Sequence, residues 1–135
     1  MYKRQFSYHP DSVRIILEEE QRAAFNHFWQ FANKQTGMIH AGTNVNNKNL
    51  TTGGSGFGVM VTLTGIERGW ITRKERSKRI LTLARYLNKA ERIKGVWSHW
   101  MNAEGQPVKF GKQIESGDLV ETSFMMMGLY AFTIK

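Results

Sequence analysis

Cysteine is absent from the 135 residues, which removes disulfide bonds, thiol nucleophiles and thiolate metal sites together. No stretch approaches the ~20 consecutive apolar residues of a membrane-spanning helix, and the N-terminus lacks the apolar core of a signal peptide. The four histidines, His9, His27, His40 and His99, form no i,i+4 pair, so a zinc site is not expected; no cofactor is expected either. A nucleotide-phosphate signature is also wanting. Gly53–Gly58 lacks the G-x-x-x-x-G-K-[ST] pattern, and no strand signal precedes it.

What is present is the composition of one ordinary globular domain over residues 1–135, with 41% apolar and 12% aromatic residues, enough for a single modest core. The net charge of +8 is concentrated, since ten of the nineteen basic residues fall between Arg68 and Lys94. That segment reads as a solvated helix face. Basic charge raises association with any polyanion and specifies none, so no nucleic-acid partner is expected. The competing picture, a small basic helical module that binds nucleic acid, leaves the acids and tryptophans described below unexplained.

Apolar spacing predicts an all-α chain of about four helices. The first runs over Asp11–Ala32, capped by Asp11 or Ser12, with Val13, Ile16, Leu17, Ala24, Phe28 and Phe31 on one stripe. Asn33 to Asn49 reads as a long polar loop. The small residues from Thr51 to Gly58 open a second helix that continues to about Arg68. Thr72 and Glu75 have capping-box spacing for a third, Arg73–Lys89, with Ile80, Leu83, Ala84 and Leu87 as its buried stripe. Gly95–Phe110 reads as extended or irregular with a turn at Ala103-Glu104-Gly105, and a fourth helix runs from near Asp118 to about Phe132.

Three segments carry candidate chemistry. In Gly117-Asp118-Leu119-Val120-Glu121-Thr122-Ser123-Phe124, two carboxylates stand three residues apart, which on a helix puts them on one face with Cβ atoms roughly 5–6 Å apart. Acids in a first turn also stabilise the helix dipole, which accounts for Asp118 as a cap and less well for Glu121. Val120, Phe124, Met125 and Met127 are expected to be buried, which would direct Glu121 toward a pocket or a partner. The segment Val96-Trp97-Ser98-His99-Trp100-Met101-Asn102 offers flat indole faces suited to sugar rings, or else core anchors under a loop, with His99 as a ligand contact or a structural histidine. At the start of the second helix, around Thr52 and Ser55, small residues either permit close packing or leave N–H groups lining a polar site.

Taken in order, Phe28-Trp29, Thr36-Gly37-Met38, Thr52-Gly53-Gly54-Ser55-Gly56-Phe57-Gly58, Gly65-Ile66-Glu67-Arg68-Gly69-Trp70-Ile71-Thr72-Arg73, His99-Trp100-Met101-Asn102 and Gly117–Phe124 closely resemble the bacterial glucoamylase-like domain family that includes endo-β-1,2-glucanases. The resemblance covers about Gln21 to Phe132. It implies an (α/α)6 barrel and a glycoside hydrolase acting on β-glucan, β-1,2-glucan foremost, by acid-assisted inverting hydrolysis without a metal. It implies a periplasmic or secreted parent and an oligo- or polysaccharide substrate. Matched by position, Asp118 and Glu121 are the two cleft acids of the family's G-D-L-V-E-T motif. Trp97, His99, Trp100, Asn102, Thr52 and Ser55 are then expected to bind substrate. Two positions depart from the family's pattern: Ile114, with Glu115 beside it, replaces an aspartate four residues before Asp118, and Ile39-His40-Ala41-Gly42 replaces a charged stretch.

Length sets the last expectation. A six-hairpin barrel has about twelve helices, so four make an incomplete portion, an N-terminal fragment of a longer parent. Inverting hydrolysis uses a second carboxylate roughly 6.5–9.5 Å across the scissile bond. Glu18, Glu19 and Glu20 read as solvated, Glu67 and Glu75 flank a helix junction, and Glu104 sits at a turn. The chain alone is therefore expected to be inactive, leaving a non-catalytic carbohydrate-binding remnant as the alternative. It is also expected to self-associate through apolar helix faces. The opening Tyr2-Lys3-Arg4-Gln5 matches a translated sequencing adapter, so residues 1–5 are set aside.

Overall fold

The computed structural model describes residues 10–44, 48–109, 111 and 116–133. The adapter-like residues 1–5 and the departure at Ile114 lie outside these. In chain order the elements are α1 (Pro10–Gln30), β1 (Ile39–His40), β2 (Leu50–Thr51), α2 (Thr52–Glu67), α3 (Arg73–Lys89), β3 (Trp100–Met101), β4 (Pro107–Val108) and α4 (Leu119–Thr133). Helices dominate, as the apolar periodicity predicts. The four two-residue strands form an antiparallel sheet in the order β1-β2-β3-β4. β1 lies in the segment that reads as a long loop, and β2 ends at the expected opening of α2. β3 and β4 lie in the segment that reads as extended or irregular, on either side of its expected turn. Leu50 pairs with Met101 and Thr51 with Trp100 across it.

The core lies where α2, α3 and the sheet meet α4. It is built from Met38, Leu50, Val59, Ile80, Leu83, Tyr86, Leu87, Trp97, Met101 and Met125. Helix α2 fits there because its inner face is small: Thr52, Gly53, Ser55, Gly56, Gly58, Val59, Thr62 and Gly65 are its buried residues. At the crossing with α4 the backbones touch. A Cβ on Gly56 would run into the Phe124 carbonyl oxygen and lie 2.7 Å from Met125 Cα. One on Gly128 would meet the Gly56 carbonyl.

Helix α3 begins at the Thr72–Glu75 capping box, with the Thr72 hydroxyl accepting from Glu75 N and the Glu75 carboxylate accepting from Thr72 N. Its buried face differs from the expected stripe at three residues: Ala84 is exposed, while Arg76 and Tyr86 are buried beside Ile80, Leu83 and Leu87. The basic residues are correspondingly not all a solvated face. Arg76 Nε donates to Thr62 Oγ1 at 3.1 Å, and its guanidinium lies 4.6 Å from the centre of the Phe132 ring. Arg79 Nη2 donates to the Trp29 carbonyl at 2.6 Å and stacks 4.1 Å over that indole. By a directed bond and a ring face, Arg76 thus ties α3 to α2 and α4, and Arg79 ties it to α1.

Helix α1 is docked only along its second half. Every residue from Asp11 to Ala24 is exposed, and Phe25 is the first that is buried. Phe25 enters against Gly65, where a Cβ would strike its ring, and packs 5.1 Å from the Trp70 ring centre and 5.9 Å from that of Trp29. Ile15, Ile16 and Leu17 remain exposed on α1, as do Leu119, Val120, Met126, Met127 and Tyr130 on α4. These apolar faces correct the expectation that Val120 and Met127 are buried: they are 62% and 59% exposed, because α4 turns only Met125 and Gly128 fully inward.

Candidate active site

The segment Trp97-Ser98-His99 is threaded between the starts of α2 and α4 by backbone bonds. Asp118 N donates to the Trp97 carbonyl at 2.9 Å, His99 N to the Ser116 carbonyl at 2.8 Å, and Thr52 N to the His99 carbonyl at 3.1 Å. Thr122 adds a side-chain clasp, its hydroxyl accepting from Trp97 N at 3.0 Å. Two helix N-termini and β3 therefore converge on one small surface. That is where residues 70 positions apart in sequence, Thr51 and Glu121, come within 3.3 Å of each other.

Asp118 serves as the α4 cap: its Oδ1 accepts from Glu121 N at 3.0 Å. The other oxygen, Oδ2, lies 2.9 Å from His99 Nδ1. The Glu121 N–H bond holds the Asp118 carboxyl below the usual carboxylate range, partial burial pulls the other way, and the bond and charge of His99 lower it further. A carboxylate with a depressed folded pKa contributes stability that is present above its unfolded value and lost as pH falls through its folded one. The wild-type melting temperature is therefore expected to fall more than that of Asp118→Asn between about pH 6 and about pH 3. Parallel falls in a pH series of thermal melts would contradict this.

Glu121 is occupied differently. Thr51 stands at the N-cap of α2 but makes no side-chain capping bond. Glu121 supplies it from the neighbouring helix, with Oε2 accepting from Gly53 N at 2.7 Å and from the Thr51 hydroxyl at 3.3 Å. The carboxylate lies flat over Gly53, where an added Cβ would stand 2.8 Å from Oε2 and 3.0 Å from Oε1. Any side chain there would displace it. The two acids thus share a site, and each also caps a helix, α4 by Asp118 and α2 by Glu121.

The other residues singled out from the sequence divide by depth. His99 and Trp100 are half-buried at the same surface, their rings edge-to-face with centres 5.2 Å apart. Trp97 lies beneath, 5% exposed, with Arg92 4.9 Å over its ring and its indole N–H without a partner among the described residues. Thr52 and Ser55 are also buried, their hydroxyls donating to the Ser98 and Thr51 carbonyls. They belong to the packed start of α2 rather than to its surface. Asn102 stands apart: Oδ1 accepts from Glu104 N and Gln106 N, which fixes the turn between β3 and β4.

Two site residues carried no assigned role in the sequence reading, Thr51 and Thr122. The available signals were an N-cap residue type before a small-residue helix and a hydroxyl inside the paired-acid motif. Neither reveals its partner. Among the described residues no group of three metal-ligating side chains converges. A wide groove of about 620 Å3 lies away from Asp118 and Glu121, along α1 beside Trp70.

No family profile matches the sequence. Over 123 residues the chain is 38% identical to an exo β-1,2-glucooligosaccharide sophorohydrolase (non-reducing end) of Parabacteroides distasonis, covering 90% of this chain and 17% of that one. Among solved structures it is similar to the endo-β-1,2-glucanase of Chitinophaga pinensis in complex with sophorotriose and glucose, with TM-score 0.72 and 42% identity over 91% of this chain and 31% of that one. A candidate glucoamylase from Bacteroides fragilis aligns with TM-score 0.78 and 37% identity over 97% of this chain and 32% of that one. The chain thus spans about a sixth of the curated relative and about a third of the solved ones. Its four helices match a portion of the (α/α)6 barrel of these glucoamylase-like proteins, and over that portion the chain is similar to glucoamylase-like proteins and endo-β-1,2-glucanases.

Proposed function

We propose that this chain forms one wall of the substrate cleft of a glycoside hydrolase that cleaves β-glucan, β-1,2-linked glucan foremost, by acid-assisted inverting hydrolysis. The observation that carries the reading is the convergence of Asp118, Glu121, His99 and Trp100 on one surface at the starts of two helices. Carboxylates and imidazole meet sugar hydroxyls by hydrogen bonds, and the indole offers an apolar face to the C–H face of a ring. The names of two relatives, a sophorohydrolase and an endo-β-1,2-glucanase, support a saccharide substrate and the β-1,2 linkage.

The opposing acid of an inverting pair stands roughly 6.5–9.5 Å away, with room for water between. Glu18 instead pairs with Arg68 at 3.4 Å, and Glu75 closes the α3 capping box. The 135-residue chain is therefore expected to bind without turning over. Titration with sophorotriose, followed by amide and indole NMR, should shift Trp100, His99 and residues 118–121. Millimolar ligand that leaves all of these unmoved would end the proposal, and so would hydrolysis of β-1,2-glucan by the purified chain.

A further inference from the structure

The two oxygens of Asp118 are both engaged, and by different partners. Oδ1 receives the Glu121 N–H at 3.0 Å, and Oδ2 faces His99 Nδ1 at 2.9 Å. An ionised carboxylate can only accept hydrogen bonds, so a contact of that length requires the proton to be on the imidazole nitrogen. The Trp100 ring stands edge-to-face against His99, and the His99 backbone is fixed on both sides by Ser116 and Thr52. Ring plane and proton position are set together.

We infer that Asp118 is a positioning residue that holds His99 as the Nδ1–H tautomer, so that Nε2 is the basic, hydrogen-bond-accepting nitrogen the imidazole presents to the saccharide. The ligand group it suits is a sugar hydroxyl donating its hydrogen. Asp118, kept ionised by two donors, then acts through His99 and gives up no proton of its own. Within this wall Glu121 is left as the carboxylate for proton transfer. Its Oε2 carries the bonds to Gly53 and Thr51, while among the described residues Oε1 shows no hydrogen bond. The assignment rests on the saccharide reading for its ligand and on geometry alone for its tautomer.

Asp118→Asn separates the two functions of the side chain. The amide oxygen can still accept from Glu121 N, so α4 keeps its cap, while the amide NH2 turns toward His99 Nδ1 as a donor. The neutral ring must then give up its Nδ1 proton and carry it on Nε2. Nitrogen-15 NMR of the His99 ring distinguishes the tautomers directly. At about pH 8, where imidazole is ordinarily neutral, the wild-type chain should show a protonated Nδ1 and a bare Nε2, and Asp118→Asn the reverse, with an otherwise native amide spectrum. A wild-type ring protonated on Nε2, or on both nitrogens, would overturn the inference whether or not the variant folds. An unchanged tautomer in a folded variant would do the same. Sophorotriose titrations of both proteins keep the two proposals apart: a tautomer switch with no ligand response in either protein sinks the saccharide reading and leaves the positioning role standing. Tighter or equal binding by the variant would remove Nε2 as the accepting atom.

Discussion

Gly56→Ala and Gly128→Ala are each expected to lower the melting temperature by more than about 10 °C, the largest effect of any single-methyl change in this chain. The added carbon has nowhere to go. At Gly56 it meets the Phe124 carbonyl and Met125 Cα, and at Gly128 it meets the Gly56 carbonyl and Cα. All are backbone atoms of the facing helix, and rotamer change cannot relieve contact with backbone. Overpacking of this kind costs typically 1–3 kcal/mol and more where nothing yields, against a total stability of about 5–15 kcal/mol for a domain. Gly69→Ala is the contrast: φ is +67°, yet no atom lies within 4 Å of the would-be Cβ. It should cost only the roughly 1–2 kcal/mol of left-handed backbone. Thermal melts of the three variants by circular dichroism check the ranking, and a shift of only a few degrees at Gly56 would remove the close helix crossing.

Leu50→Ala is expected to cost about 2–5 kcal/mol, the range for a buried leucine whose cavity cannot collapse. Leu50 is fully buried, and its sheet partner Met101 is fully buried too. On the same strands the neighbouring pair is Thr51 with Trp100, both of which belong to the site. The variant should therefore lose ligand response at Trp100 as well as stability. Denaturant titration measures the first loss, and a value below about 1 kcal/mol would show that the sheet closes over the gap.

The sequence carried α3 almost completely, because its signals are local. Thr72 and Glu75 stand three residues apart, and the apolar stripe recurs each turn, so both ends match Arg73–Lys89. Its buried face was less legible: Ala84 and Tyr86 exchange the expected places, and Arg76, a guanidinium buried on a ring and a hydroxyl, reads in sequence as one more surface charge. The extended stretch and turn that hold β3 and β4 were legible, but the pairing of the strands was not, for a different reason. Two residues are too few to show alternation, and Leu50 finds Met101 only through the tertiary fold.

At the site, the capping role of Asp118 was readable because donor and acceptor lie three residues apart. The bond from Gly53 to Glu121 spans 68 residues, and no local pattern announces it. Trp97 and Trp100 had equal claims as indoles in one polar segment. What separates them is tertiary: Trp97 is buried with its backbone clasped by Thr122 of α4, whereas Trp100 pairs with Thr51 in the sheet and stays half-buried.

The position of Glu121 also bears on how such a site can diverge. Its carboxylate is the peg between two helix starts, so a lineage cannot discard the acid freely even after the chemistry falls out of use. Glutamine keeps an acceptor for Gly53 N, whereas aspartate is one methylene short and alanine leaves that N–H to water. Of the three replacements only glutamine keeps the link between the two helix starts, whatever chemistry the carboxylate does or does not do. A paired-acid motif of this form is held by architecture, so its presence in a chain is by itself no record of turnover.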